Sequence, residues 1–133
     1  MTVLVTRDQS TPMRQEIRIG AHALASDETV EAGGGGSAPT PHDLYDAALG
    51  ACKALTVLWY ARRKAIPVEG IEVRVERDSS QEREGTYRLA TELRLGGALS
   101  AAQRQELLAV ASKCPIHKLM TVVKTEITTT LAG

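Results

Sequence analysis

One long helix is predicted by the stretch TPHDLYDAALGACKALTVLWY, residues 40–60. Its start is well marked, because Thr40 can cap a helix, Pro41 suits the first helical position and Asp43 stands where a capping box has its acid. The segment AALGAC, residues 47–52, is rich in small side chains and would let another helix or strand approach closely. We expect this helix to be central and nearly all buried. Its apolar residues recur at helical spacing, at Leu44, Ala48, Ala51, Leu55 and Leu58.

Strands are predicted on both sides of this helix. Residues 2–6 and 15–25 are strand-like before it, and the alternation in 71–76 and 87–95 predicts a hairpin after it. A second helix follows the capping box of Ser100 and Gln103 and should break at Pro115, and residues 122–131 are typical of a closing strand. The glycine run 33–37 should be a mobile loop without regular structure. This order predicts an α+β fold with antiparallel sheets and two main helices, in a single domain over residues 1–133.

Composition limits the function and the surroundings of the chain. Lys plus Arg and Asp plus Glu number 16 each, so no basic excess points to nucleic acid or an anionic membrane. The N-terminal stretch lacks the features of a signal peptide, and no apolar run is long enough to span a membrane, so we expect a cytoplasmic protein. With no Phe and one Trp among 133 residues, the core is thin. A thin core favours a homodimer, because a partner subunit supplies further burial.

The two cysteines are the strongest candidates for chemistry. Cys52 lies inside the long helix, and Cys114 ends the second helical run directly before Pro115. One interpretation is that both are small buried hydrophobes, which is common for cysteine. The other is redox chemistry, since a permanent disulfide is improbable in a reducing cytosol. A thiolate at Cys52 would need a cation from elsewhere, and Arg14 and Arg18 are the candidates.

A metal site is a weaker alternative. Cys52, Cys114, His117 and His42 could supply four ligands, but Cys114 and His117 form one short pair and no second close pair exists. We therefore expect no metal and no bound cofactor. No phosphate loop, dinucleotide fingerprint or nucleophile-elbow motif is present either.

Several segments together resemble the OsmC/Ohr family. Residues 39–52 (PTPHDLYDAALGAC) resemble the signature around its reactive cysteine, and residues 64–73 (KAIPVEGIEV) resemble its passage from helix to strand. Residues 113–117 (KCPIH) are similar to its second-cysteine motif. The N-terminal stretch with Ile19, Gly20, His22, Asp27 and the glycine run is similar to the OsmC-like branch. The resemblance covers nearly the whole chain.

This resemblance implies a fold and an activity. It implies an OsmC-like fold in an intertwined homodimer, with active sites at the subunit interface. It also implies thiol-dependent reduction of organic hydroperoxides, a defence against oxidative stress. Cys52 would then be the peroxidatic nucleophile and Cys114 the resolving cysteine. An external dithiol, such as a dihydrolipoyl group, would reduce the disulfide that they form.

The chain departs from the family pattern at one functional position. Peroxidatic members place a glutamate directly after the helix-starting proline, where it holds an arginine against the thiolate. Here that position is His42, followed by Asp43, and the arginine is matched first by Arg14 and second by Arg18. An alternative is therefore a protein that binds a small ligand or senses redox state, without efficient peroxidase activity.

Overall fold

The computed structural model describes residues 1–133, which divide into two compact units, Met1–Ala47 and Ala48–Gly133. The first contains β1 (Val3–Arg7), β2 (Gln15–Ile19) and β3 (His22–Ser26), and the long helix α1 (Pro41–Lys64) begins in it. The second contains the rest of α1, β4 (Ile71–Asp78), β5 (Arg88–Leu95), α2 (Ala101–Ala111) and α3 (Pro115–Thr121). Short 3-10 helices lie at Val30–Ala32 and Glu82–Glu84. The predicted α+β class with antiparallel sheets and two main helices, α1 and α2, is confirmed, and a shorter third helix, α3, follows them.

The first unit is built on a three-stranded antiparallel sheet in the order β1-β2-β3. The single strand predicted over residues 15–25 is wrong, because the chain reverses at Gly20 and pairs Ile19 with His22. Gly20 has a φ of 58°, a left-handed conformation that glycine adopts without a steric penalty. Two short strands therefore form where alternation alone suggested one.

The glycine run is not a helix or a strand, as expected, but its backbone is well bonded. The amide of Gly34 donates to the Thr29 carbonyl at 2.9 Å, and that of Gly36 donates to the Glu28 carbonyl at 3.0 Å. The buried carboxylate of Asp27 accepts hydrogen bonds from the backbone and side chain of Ser37. These bonds hold the loop closed upon itself ahead of α1.

Helix α1 begins where the sequence predicted. Thr40 and Asp43 form the reciprocal capping pair, with the Thr40 amide donating to Asp43 at 2.9 Å and the Asp43 amide donating to Thr40 at 3.2 Å. The expectation of a nearly all-buried helix is wrong, since the side chains of Leu55 and Trp59 are mostly exposed. Amphipathic spacing locates a helix but does not show how many of its faces the same chain covers.

In the second unit, helices pack against the β4–β5 hairpin. The sequence predicted this hairpin. Its strands pair over eight residues each, from Ile71 with Leu95 to Asp78 with Arg88. A Cβ added at Gly50 of α1 would lie 3.1 Å from the Val75 side chain, so the small residues of this segment do permit close approach. The buried core consists of Val57, Ala61, Ile66, Leu107 and Ala111.

At the C-terminal end the predicted helix break at Pro115 is confirmed, and the predicted closing strand is not. Helix α2 ends at Ala111 and a third helix, α3, begins at Pro115, because proline suits a first helical position as well as it ends a preceding helix. The closing strand over residues 122–131 is wrong, since Val122 caps α3 and residues 124–133 have no helix or strand. Strand-forming residues need a neighbouring strand for their hydrogen bonds, and this segment pairs with none in the chain.

No helix combines the length and the apolar character needed to cross a membrane. The predictions of one domain over 1–133 and of a homodimer stay predictions.

Candidate functional site

The structure brings the two cysteines together in the second unit. Cys52 is half-buried on α1, and Cys114 is fully buried at the junction of α2 and α3. Both thiols are free, and they lie close enough for Cys52 to raise the pKa of Cys114. The backbone amide of Ile116 donates to the Cys52 sulfur at 3.5 Å. This bond anchors the Cys52 sulfur to the first turn of α3, directly after Cys114 and Pro115.

Local sequence explains how Cys114 is presented. A residue before proline is held in an extended conformation, and Cys114 has φ −67° and ψ 149°. It stands at the N-cap of α3, with Pro115 at the first helical position. The bend between α2 and α3 thus turns the thiol inward toward α1.

The environment of Cys114 keeps it protonated. Burial raises the pKa of the Cys114 thiol, and its hydrogen bond with the Cys52 thiol raises that pKa further. The backbone N–H of His117 and the positive charge of Lys53 act in the opposite direction. The net shift is upward, so at neutral pH Cys114 is a thiol whose proton can be shared with the Cys52 sulfur.

The prediction missed a buried cation beside this pair. Lys53 has 3% of its surface exposed, and its Nζ donates to the Ala111 carbonyl at 2.9 Å. The same Nζ lies 3.1 Å from Nδ1 of His117. The signal was present in the sequence, because Lys53 is the one charged residue between Ala47 and Tyr60. Helical periodicity alone could not tell whether it pointed to solvent.

The other four predicted site residues lie in the first unit. Arg14 forms an ion pair with Glu16 at 2.9 Å and donates to the Ser37 hydroxyl at 3.0 Å. The hydrogen bond and charge of Glu16 raise the pKa of Arg14, which therefore stays a cation. Three others complete the set. Arg18 is an exposed residue of β2, and His42 and Asp43 lie in the first turn of α1. Catalytic roles for Arg14, Arg18, His42 and Asp43 stay predictions.

The alternative of a metal site gains no support from the geometry. No group of three or more His, Cys, Asp or Glu side chains is placed to hold a metal ion. His117, the closest candidate ligand to Cys114 in sequence, instead directs Nδ1 at Lys53.

Comparison with known proteins identifies the family. A model of the OsmC-like protein family matches residues 34–130, well over half of the chain. No curated protein sequence matches the chain. The chain belongs to the OsmC-like family.

Solved structures share the fold at low sequence identity. The OsmC-like protein from Mycoplasma pneumoniae is 17% identical with a TM-score of 0.70, covering 92% of this chain and 89% of that one. The organic hydroperoxide resistance protein OsmC from Legionella pneumophila is 22% identical with a TM-score of 0.65, covering 92% and 90%. The organic hydroperoxide resistance protein OhrB of Bacillus subtilis is 21% identical with a TM-score of 0.61, covering 92% of each chain. The predicted OsmC-like fold is thereby confirmed, and the family includes proteins named for organic hydroperoxide resistance.

Proposed function

We propose that the protein is a thiol-dependent peroxidase that reduces organic hydroperoxides as a defence against oxidative stress. The observation that carries the proposal is the hydrogen bond from the Ile116 amide, two residues beyond fully buried Cys114, to the half-buried Cys52 sulfur, because it brings two free thiols of different character close together. Solved structures of the same fold that are named for organic hydroperoxide resistance support the choice of substrate. Cys52 is the nucleophile, because it is the more exposed thiol and receives the Ile116 amide.

The chemistry balances with these two residues and an external dithiol. The Cys52 thiolate attacks the outer oxygen of the hydroperoxide, the O–O bond breaks, and the alkoxide takes a proton to leave as an alcohol. Cys52 is now a sulfenic acid. The Cys114 sulfur attacks the Cys52 sulfur, the S–O bond breaks, and water leaves as the disulfide forms. A dithiol then reduces this disulfide and is itself oxidised to a disulfide, which restores both thiols.

Reciprocal cysteine variants test the proposal. The protein is treated with a small excess of cumene hydroperoxide, and its thiols are followed by intact mass. We expect the wild-type protein to lose two hydrogens, Cys114→Ser to gain one oxygen at Cys52, and Cys52→Ser to stay unchanged. With dihydrolipoic acid as reductant, wild-type turnover continues, whereas Cys114→Ser stalls after one oxidation. Full turnover by Cys52→Ser would end the proposal.

A second candidate is a small-ligand-binding or redox-sensing protein. His42 stands where peroxidatic members carry a glutamate, and Arg14 is already paired with Glu16. A ligand-binding protein would keep both thiols reduced with hydroperoxide, whereas a redox sensor would be oxidised but would not turn over efficiently with dihydrolipoic acid. The mass and turnover measurements together separate these functions from the peroxidase.

A further inference from the structure

Lys53 is a buried charge that the proposed peroxidase cycle does not yet use. It follows Cys52 directly on α1, and 3% of its surface is exposed. A lysine rarely has so little exposure, because removing an ammonium from water is costly unless hydrogen bonds compensate. Because Lys53 lies beside two thiols, its charge can influence their chemistry as well as the packing of the helices.

The two partners of Lys53 lie on either side of the resolving cysteine. Ala111 ends α2 and His117 belongs to α3, so each is three residues from Cys114. Lys53 Nζ lies 2.9 Å from the Ala111 carbonyl oxygen and 3.1 Å from His117 Nδ1. One side chain of α1 therefore fastens both segments that flank Cys114, and holds that thiol against Cys52.

Lys53 and His117 are joined by a hydrogen bond between their nitrogens. Across the 3.1 Å contact one nitrogen donates and the other accepts, and an ammonium at Lys53 can only donate. The Ala111 carbonyl stands at the C-terminal end of α2, where a cation is favoured. Neither partner is a carboxylate, so no ion pair with them neutralises the charge.

A charge at this place acts on Cys114. The groups that influence this thiol are Cys52 and Lys53 from α1 and the backbone N–H of His117 from α3. Burial keeps Cys114 protonated, yet it must lose its proton to attack oxidised Cys52, and the charge of Lys53 favours that loss. We propose that Lys53 is a positioning residue for the resolving step: it holds Cys114 beside Cys52 and stabilises the Cys114 thiolate during attack.

The inference rests on the proposed peroxidase, but it can be tested without a peroxide. Cys52 is first converted to a mixed disulfide with the chromogenic reagent 5,5′-dithiobis(2-nitrobenzoic acid). The Cys114 thiolate then attacks the Cys52 sulfur, the mixed S–S bond breaks, and a coloured thiolate leaves. The rate of this release is measured from pH 6 to 9 in the full-length protein.

Two neutral replacements are compared with a matched control. Lys53→Met removes the charge, and Lys53→Gln removes the charge but keeps a donor for Ala111, which protects the measurement against a failure to fold. Lys113→Met makes the same replacement at an exposed lysine next to Cys114. We expect both Lys53 variants to release the thiolate roughly three- to tenfold more slowly at pH 7. We also expect their rate profiles to move to higher pH, with Lys113→Met unchanged.

The shape of the profile decides the result. If Lys53 only holds the helices together, its loss slows release by the same factor at every pH, and this result would overturn the proposal. An unchanged rate would overturn it as well. A separate control oxidises Cys52 with cumene hydroperoxide in the Cys114→Ser background. No sulfenic acid there would refute the peroxidase, while the exchange assay still reports on Lys53.

Discussion

At the scale of the residue, Cys114 makes the stability of the fold depend on pH on the alkaline side. Burial raises the pKa of its thiol above the ordinary value of about 8.5. In the unfolded chain the same thiol ionises earlier, so the unfolded state loses its proton first as the pH rises. The stability that the protonated Cys114 thiol contributes to the fold is fully present below about pH 8.5. It is lost as the pH rises through the raised pKa of Cys114.

This dependence predicts the behaviour of Cys114→Ala. Its free energy of unfolding, measured with denaturant under reducing conditions, should fall less steeply between pH 8 and 9.5 than that of the wild-type protein. At pH 7 the variant should be about 1–2 kcal/mol less stable, because it removes a fully buried side-chain atom from a packed site. Keeping the pH below 9.5 limits interference from Tyr60, whose pKa the Glu106 hydrogen bond raises above 10.0. Parallel curves for the two proteins would contradict the prediction.

Residue types predicted part of the site and missed the rest for a physical reason. Cys52 and Cys114 could be selected from the sequence because few residues carry thiol chemistry, and the structure brings them close together. Lys53 was missed because the sequence does not show which face of a helix is buried. That depends on the segments that pack against the helix. Those partners, Ala111 and His117, are far along the chain, and only tertiary structure brings them to the same nitrogen.

At the scale of the element, the loop before α1 has no room for a side chain at Gly34. A Cβ at Gly34 would lie 2.2 Å from the Glu28 carbonyl oxygen, a backbone atom that cannot move alone. We expect Gly34→Ala to destabilise the protein by about 1–3 kcal/mol, because the loop must open to relieve the clash. Thermal unfolding followed by circular dichroism measures the effect.

Gly70→Ala is the matched control for this loop. A Cβ at Gly70 meets nothing within 4 Å, and its φ is not positive, so the same substitution should leave the melting temperature nearly unchanged. If both variants lose the same amount of melting temperature, the close approach of Gly34 to the Glu28 carbonyl is not what stabilises the loop.

The sequence predicted the helix starts well, because they depend on residues that are neighbours in the chain. The capping pairs Thr40 with Asp43 and Ser100 with Gln103 are both present, since each needs four consecutive residues and no more. The failures have non-local or conformational causes. The turn at Gly20 needed its positive φ to be anticipated, and the strand expected over 122–131 lacks a partner strand within the chain.

At the scale of the whole molecule, apolar side chains remain exposed in both units. On α1 of the second unit, Leu55 and Trp59 are 66% and 61% exposed and lie one helical turn apart, with Leu58 beside them. In the first unit, β1 leaves more than half of Val3, Leu4 and Val5 exposed. Contiguous exposed apolar residues mark interaction surfaces more often than free surface. They favour the homodimer that the thin core and the family resemblance predict.

The homodimer can be tested on the α1 stripe formed by Leu55, Leu58 and Trp59. We expect the wild-type protein to sediment as a dimer at micromolar concentration and Leu55→Glu to weaken that dimer roughly tenfold or more, because a buried unpaired carboxylate is costly. Ser112→Glu places the same charge at an exposed polar position and should leave the dimer intact. A wild-type monomer at every concentration would refute the homodimer. A dimer that tolerates Leu55→Glu would instead place the interface away from this stripe, and the exposed strand β1 would be the next surface to substitute.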